Sequence, residues 1–418
     1  MDRIRSFLSN PIFVISKRNP FMLSRWSILY VLLGIFGGIF SAAFWKCLEF
    51  LFQMISIVQG PWVILLMASA GLVVGLIIYF LGDPGEISLV IDNIRFKGGR
   101  LEPKNNPSMA LSSLVSISAG GSAGPEAPLV QITGSFGSWF AEKLGLEGKE
   151  LRAMTIAGMA AGFTSLFGSP LGGALFALEI LQHRHVVEYY EALLPAFLSS
   201  CSAYFVFLGM TQIGIGPTWQ FPQYMPGGIE DFIYAILLGI AGAGIGWIFY
   251  GIFRGTNLVF SKVPGPIFLK TLLGGVLLGC LAYYEPLTRN FGHKELDTVI
   301  ATAGTWQFFG ALVLLKILSI NTTISSGWRG GFIIPLFFVG ASAGRFLLYF
   351  FPTESEAFLM ICLMAAVNSS VTKTPISTTI LLAELTGLSS FTPVLFASLS
   401  GYFLSPKAPF IGSQAGES

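Results

Sequence analysis

The stretch GSAGPEAPLVQ, from Gly121 to Gln131, determines how the rest of the chain is interpreted. It places one carboxylate, Glu126, between Pro125 and Pro128 in a chain that is otherwise mostly apolar. A backbone broken by glycine and proline at membrane depth is tolerated only where it packs against protein or lines a wet cavity, and an ionisable residue there marks a functional site. A helix that begins just after the break presents free N–H groups and its positive dipole end to an anion. Glu126 is therefore a tethered anion beside a site suited to a free anion, and we predict that it acts as a gate. The alternative is a structural carboxylate at a helix N-cap or at the membrane interface.

The composition predicts a polytopic membrane protein with one compact intramembrane domain. Of the 418 residues, 53% are hydrophobic and 11% are charged, whereas about a quarter of the residues in soluble domains are charged. The 49 glycines and 38 phenylalanines fit helices that pack closely in lipid. The net charge of +2 and the lack of a long basic tract predict no nucleic acid partner.

Neither a metal ion nor a cofactor is predicted. The cysteines are scattered through apolar segments without CxxC or metal-like spacing, which is typical of small buried hydrophobic residues. They are Cys47, Cys201, Cys280 and Cys362, and the histidines are His183, His185 and His293. The sequence also lacks HExxH and phosphate-loop patterns, so we predict that the chain is not an enzyme.

Basic residues predict the orientation of the N-terminus. They precede the first apolar run and are Arg3, Arg5, Lys17, Arg18 and Arg25. The positive-inside rule then places residues 1–26 in the cytoplasm. Met1–Asn10 has no apolar core of a signal peptide, so none is predicted.

Long apolar runs predict membrane-spanning helices, each near the ~20 residues that a span needs. They cover 27–57, 62–82, 152–181, 189–211, 229–253, 267–284, 305–320, 330–351 and 375–404. Shorter pieces cut by glycine and proline, at 109–119, 126–140 and 356–367, predict re-entrant half-helices of the kind that build sites in transporters. The basic stretch 93–107 predicts a cytoplasmic loop.

An internal repeat divides the chain into halves. Four patterns recur at a near-constant shift of 204 to 207 residues (275 − 71 to 331 − 124). Leu32–Ile35 recurs as Leu237–Ile240, and the pair Gly71/Gly75 recurs as Gly275/Gly279. The pair Gly124/Pro128 recurs as Gly331/Pro335, and the pair Pro170/Glu179 recurs as Pro375/Glu384. We therefore predict a first membrane repeat over 27–211, a connector over 212–227, a second repeat over 228–404, and a tail over 405–418 without a regulatory domain. Corresponding breaks should face one midplane site.

Four stretches resemble the CLC family of chloride channels and chloride/proton antiporters. Gly124–Pro128, followed by Val130 and Gln131, resembles the family's GxExP segment, and Gly168–Glu179 resembles the stretch that follows that segment. Ser326–Pro335 resembles the GxFxP segment, and Thr374–Thr386 resembles a late helix of the family. The resemblance covers nearly the whole chain in the family's order. It implies an all-α membrane protein of two inverted repeats with broken and re-entrant helices. It also implies a homodimer with one anion pathway per subunit, and the absence of a soluble regulatory domain suggests a bacterial plasma membrane protein.

The resemblance also implies roles for individual residues. Glu126 falls on the gating glutamate, and the amides of Phe332 and Ile333 fall on the central anion ligands. The amides of Glu126, Ala127 and Ile334, together with Gly124, fall nearer the outer site. Neutral amides strip part of an anion's hydration shell without trapping the anion, which conduction requires.

Several positions depart from the family pattern. Gly82 and Asp83 fall on the anion-binding segment whose serine is missing here, and Phe410 replaces a tyrosine near the C-terminus. The antiporters' inner proton-relay glutamate corresponds to Ile180, and an aliphatic side chain cannot relay a proton. We therefore expect chloride transport that is channel-like or weakly coupled to protons.

Alternative functions remain open at this point. They are a proton-coupled chloride antiporter, with Glu179 as a substitute relay near His183 and His185, and a transporter of another anion such as nitrate or fluoride. For Glu179 and Glu384 themselves, we expect a shared structural role, such as accepting backbone N–H bonds at matching repeat positions.

Overall fold

The computed structural model describes residues 25–85, 87–181, 186–222, 224–351, 355–387, 391–407, 410–411 and 414. The predictions for Arg3, Arg5, Lys17, Arg18, His183 and His185 lie outside these residues. The described part of the chain is helical, with two short 3₁₀ helices at Pro103–Asn105 and Pro286–Thr288. Its α-helices are α1 (Arg25–Ile55), α2 (Trp62–Leu81), α3 (Ile87–Phe96), α4 (Asn106–Ala119), α5 (Glu126–Lys143), α6 (Gly148–Phe167), α7 (Pro170–Glu179), α8 (Val186–Thr211), α9 (Ile229–Ser261), α10 (Ile267–Tyr284), α11 (Glu295–Ala301), α12 (Trp306–Ser325), α13 (Ile333–Leu348), α14 (Glu356–Thr372), α15 (Pro375–Thr386) and α16 (Thr392–Phe403).

Among the described residues, six helices are long and apolar enough to cross a membrane. Their spans are Ser27–Ile55, Trp62–Leu81, Glu191–Thr211, Ile229–Ser261, Ile267–Tyr284 and Trp306–Ser325. The short apolar pieces at 109–119, 126–140 and 356–367 lie in the separate helices α4, α5 and α14, and their re-entrant character stays a prediction.

Three of the predicted spanning runs are wrong as single spans. The run 152–181 divides into α6 and α7, because Gly168 takes a left-handed conformation with φ 64° and Pro170 starts a new helix. Between them, Ser169 caps α7 by accepting the Gly172 N–H at 3.0 Å. The run 375–404 divides in the same way, since Gly387 ends α15 with φ 65°. The run 330–351 contains only the 16-residue helix α13.

Helix α3 extends into the predicted loop 93–107 as far as Phe96, while residues 97–102 are non-helical, as predicted. Ile87, Val90, Ile91 and Ile94 recur at helical spacing and are buried. The polar residues that alternate with them, including Asn93, concealed this short amphipathic pattern.

Helices α2 and α10 show how the two halves are related. A Cβ atom built on Gly71 would overlap the carbonyl oxygen of Thr271, and one built on Gly275 would overlap that of Met67. Residue numbers therefore rise along one helix as they fall along the other, so the two helices are antiparallel. Gly71 and Gly275 are equivalent positions of the repeat, as are Met67 and Thr271. This reciprocal contact between spanning helices of opposite direction shows that the repeats are inverted.

Candidate functional site

The N-termini of α5 and α13 meet through a backbone bridge between Gly124 and Gly331. The Gly124 N–H donates to the Gly331 carbonyl at 2.7 Å, and the Gly331 N–H donates to the Gly124 carbonyl at 2.6 Å. These glycines are equivalent positions of the two repeats, and they form an antiparallel bridge. Each of the two helices begins two residues later, at Glu126 and Ile333. The bridge therefore brings together two helix ends, each with free N–H groups and a positive dipole end.

The Glu126 side chain lies at the N-terminus of the helix in the other repeat. Its Oε1 atom accepts the backbone N–H of Ile334 at 2.9 Å, and the residue is 0% exposed. The second oxygen, Oε2, is also buried and has no hydrogen-bond partner among the described residues. A carboxylate thus occupies a position where α13 offers its free amides to an anion.

Gly124 and Gly331 leave the space that this carboxylate fills. A Cβ atom on either glycine would overlap the Oε2 atom of Glu126. The recurring Gly-x-x-x-Pro pattern therefore has a steric reason at this site. Each repeat contributes one glycine beside the same carboxylate.

A small cavity connects the two helix ends with the predicted relay position. It is lined by Ile87, Glu126, Ala127, Ile180, Ile324, Gly330, Gly331, Phe332 and Ile333. Four of the predicted site residues, Glu126, Ala127, Phe332 and Ile333, therefore come together, with Ile180 in the same wall. The remaining lining residues are Ile87, Ile324, Gly330 and Gly331, so Glu126 is the titratable group among the described residues that line the cavity.

The C-terminal tail reaches the same site. The ring of Phe410 packs edge-on against the ring of Phe332, with 4.9 Å between the ring centroids. It also contacts Phe249 and Phe253 of α9. The structure thus places Phe410 directly beside a predicted anion ligand.

Among the described residues that line this cavity, neither Gly82 nor Asp83 is present. An Asp83 carboxylate oxygen lies 2.8 Å from Arg329 Nη2, and the Gly82 carbonyl accepts the Ser108 hydroxyl at 2.7 Å. The Arg329 side chain is 7% exposed, while that of Asp83 is 69% exposed. Asp83 therefore pairs with a buried cation, and Ile87 is the described residue of this stretch that reaches the cavity.

Glu179 has the structural role expected from its position, whereas no backbone N–H bond to Glu384 is found among the described residues. The Glu179 carboxylate accepts the N–H groups of Ile376 and Ser377 at 3.0 and 2.7 Å, and the Ser377 hydroxyl at 2.6 Å. It therefore caps the N-terminus of α15. Glu384, near the end of α15, lies near the side chain of Ser169, which caps α7. The Glu179 carboxylate thus joins the first repeat to a helix of the second repeat.

Three buried amide side chains support the site and were not identified from the sequence. Asn368 Nδ2 donates to the Ile333 carbonyl at 2.9 Å, and Gln131 Nε2 donates to the Pro84 carbonyl at 2.9 Å. Gln414 Nε2 donates to the Ile180 carbonyl at 2.9 Å. An isolated Asn in the fully buried helix α14 is a signal that could have been used, because a buried amide needs partners. Gln414, in a short tail, gives no such signal.

Comparisons with known proteins agree with this fold. The family model described as "Voltage gated chloride channel" matches residues 70–406. A "Chloride/fluoride channel protein" of Pseudomonas syringae pv. tomato is 26% identical, over 92% of this chain and 84% of its own. The crystal structure of a CLC-type fluoride/proton antiporter has a TM-score of 0.84 at 23% identity, covering 95% of this chain and 99% of its own. The crystal structure of a slow cyanobacterial Cl⁻/H⁺ antiporter has a TM-score of 0.80 at 17% identity. The match covers 92% of this chain and 95% of the antiporter chain. The predicted fold class is confirmed.

Proposed function

Because this chain belongs to the CLC family of voltage-gated chloride channels and transporters, we propose that it conducts chloride through a pathway gated by Glu126. It is a multi-pass integral membrane protein of an anion-transporting family. Members of this family are channels and transporters rather than enzymes, which agrees with the prediction from the sequence.

One observation carries the proposal: the Glu126 carboxylate accepts the Ile334 N–H at the start of α13. The same amides suit a chloride ion, since they are neutral donors at the positive end of a helix dipole. The carboxylate and a free anion therefore compete for one position. Protonation of Glu126 neutralises the carboxylate, weakens this hydrogen bond and opens the position to the anion.

The central anion lies, in this proposal, in the cavity beside the amides of Phe332 and Ile333. Ala127 lines the cavity from the other repeat, while Gly124 fixes the helix ends through its bridge to Gly331. The Phe410 ring closes the site from the tail without offering a hydroxyl donor.

The walls of the cavity favour a passive or weakly coupled conductor. Ile180 stands at the relay position, and its neighbours Ile87 and Ile324 are also aliphatic. Glu179, the substitute relay considered above, accepts three hydrogen bonds from Ile376 and Ser377. A carboxylate bound in this way is a cap rather than a mobile proton carrier.

A second candidate substrate is fluoride, because the serine of the family's anion-binding segment is missing here. No serine occupies 82–85, and the residue of this stretch that reaches the cavity is Ile87. Two of the similar proteins carry fluoride in their names, one as a channel and one as a proton antiporter.

The assembly and orientation follow from the resemblance and complete the proposal. The protein forms a homodimer in a bacterial inner membrane, with its N-terminus in the cytoplasm and one pathway in each subunit.

The test is transport by the purified chain in liposomes. Efflux of chloride, fluoride and nitrate is measured separately, while proton uptake is recorded under a chloride gradient alone. We expect chloride efflux with little or no proton movement. Proton uptake against its gradient would establish an antiporter instead, and preferential fluoride efflux would establish the second candidate.

A further inference from the structure

A second cavity lies at the face of the membrane domain where α1 ends and α2 begins. Its volume is about 760 Å³, within the range of pockets that enclose small ligands. The end of α1, the start of α2 and the segment between α10 and α11 line it. It shares no lining residue with the cavity at Glu126.

Exposed aromatic residues place this cavity at the level of the membrane interface. Trp62 is the first residue of α2, and Tyr283 and Tyr284 are the last residues of α10. Because α2 and α10 are antiparallel, all three lie at the same face, and all three are exposed. Trp and Tyr are enriched where lipid headgroups meet the hydrocarbon region. This cavity therefore lies at the level of the lipid headgroups.

The lining residues include polar atoms that lack partners. Trp45 Nε1, Arg289 Nε and Asn290 Oδ1 are buried, and none has a hydrogen-bond partner among the described residues. Trp45 is only 9% exposed and packs edge-on against His293. Two of these three atoms are N–H donors, and buried donors without an acceptor cost free energy. An oxygen atom of a bound ligand would accept hydrogen bonds from these two donors.

Among the charged residues of the cavity, Arg289 is best suited to bind a ligand oxygen. Glu295 accepts the Asn290 Nδ2 donor at 2.8 Å, while Glu49 and Lys294 are exposed. Burial lowers the pKa of His293 to about 4, so its ring is neutral at neutral pH. A guanidinium keeps its charge when partly buried and binds carboxylate or phosphate oxygens in a two-pronged geometry.

The rest of the lining is suited to a hydrocarbon chain. The apolar residues of the cavity include Leu48, Phe52, Ile55, Val58, Val63 and Phe291. A ligand that satisfies both parts of the cavity has an oxyanion at one end and an apolar chain at the other.

We propose that this cavity binds such an amphiphile, with its headgroup oxyanion on Arg289 and the Trp45 indole N–H and its chain against the apolar lining. The oxyanion is either the phosphate of a membrane phospholipid or the carboxylate of a free fatty acid. The site is separate from the anion pathway, so the proposal stands or fails independently of the transport function.

Native mass spectrometry of the purified full chain tests this site by titration with phosphatidylglycerol, oleate and the neutral lipid monoolein. We expect Arg289→Gln to weaken the tightest phosphatidylglycerol binding about tenfold, the loss expected for one charge-assisted hydrogen bond. Arg289→Lys, which keeps the charge, should lose less. Arg254→Gln is the matched control, because Arg254 is exposed on α9 and lies outside the cavity lining.

Competition between ligands identifies the source of the oxyanion. Displacement of phosphatidylglycerol by oleate assigns the site to a carboxylate amphiphile, and failure of oleate to compete assigns it to a phospholipid phosphate. Equal binding by wild type and Arg289→Gln, or monoolein binding as tight as that of phosphatidylglycerol, would overturn the proposal.

A second measurement covers the case in which the Arg289→Gln protein does not fold. Phosphatidylglycerol with brominated chains should quench tryptophan fluorescence more in wild type than in Trp45→Phe. Equal quenching in both proteins would place the lipid elsewhere and overturn the proposal.

Discussion

Gly124 and Gly331 donate their backbone N–H groups to each other's carbonyls, at 2.7 and 2.6 Å, although the chain separates them by a whole repeat. Each also borders the Glu126 carboxylate so closely that no Cβ atom fits. One contact between equivalent residues thus joins two helix N-termini and defines the slot for the gate. Predictions about the gate follow from this geometry.

Gly331→Ala places a methyl group in the space that the Glu126 carboxylate occupies. We expect the carboxylate to leave the Ile334 N–H and anion efflux at neutral pH to rise about tenfold, because a hydrogen bond to a charged group contributes roughly 1.5–3 kcal/mol. Efflux from liposomes measures the change. Gly244→Ala is the matched control, since a Cβ there meets open space. Efflux at or below the wild-type rate from a folded Gly331→Ala protein would show that the carboxylate does not block the pathway.

Glu179→Gln removes a charged cap from α15 and leaves the anion pathway intact. We expect a loss of about 1–2 kcal/mol in the free energy of unfolding, the usual value of a helix cap or of a hydrogen bond to a charged group. Thermal unfolding in detergent measures it, with the exposed Glu102→Gln as control. The ratio of protons to chloride should not change. If the wild-type protein moves protons and the Glu179→Gln protein does not, Glu179 is the proton relay rather than a cap.

Lys316 holds the turn that follows α10 in place. It is fully buried on α12, and its Nζ atom lies 2.8 to 3.5 Å from the carbonyl oxygens of residues 287–290. Lys316→Met removes this donor, and among the described residues only the Thr288 carbonyl keeps another, the Ser319 hydroxyl, so we expect a loss of roughly 2–3 kcal/mol in the free energy of unfolding. Lys262→Met, at an exposed position, is the control. Equal thermal stability of the two variants would contradict this role.

The helices that cross the membrane could be predicted closely from the sequence. The apolar runs 62–82 and 267–284 correspond to α2 (Trp62–Leu81) and α10 (Ile267–Tyr284). Their repeated glycines mark the close antiparallel contact between the halves. Local composition is sufficient here, because a span must satisfy its own backbone within a continuous apolar helix.

Breaks and long-range contacts of side chains were harder to predict. The runs 152–181 and 375–404 look continuous, because a left-handed glycine such as Gly168 differs little in sequence from a packing glycine. The Asp83–Arg329 pair joins residues far apart in the chain, so no local pattern indicates it. Around Glu126, the repeat located the glycines, but only the folded chain shows that the carboxylate crosses to the helix of the other repeat.

The most direct test of the gate compares anion efflux from liposomes that contain wild type or Glu126→Gln over a series from neutral to acidic pH. In wild type, efflux should rise as the pH falls, because protonation releases the carboxylate from the Ile334 N–H. In Glu126→Gln, efflux should be high and independent of pH, while the control Glu102→Gln should behave as wild type. A Glu126→Gln protein whose efflux keeps the wild-type dependence on pH would contradict the proposal that Glu126 is the gate.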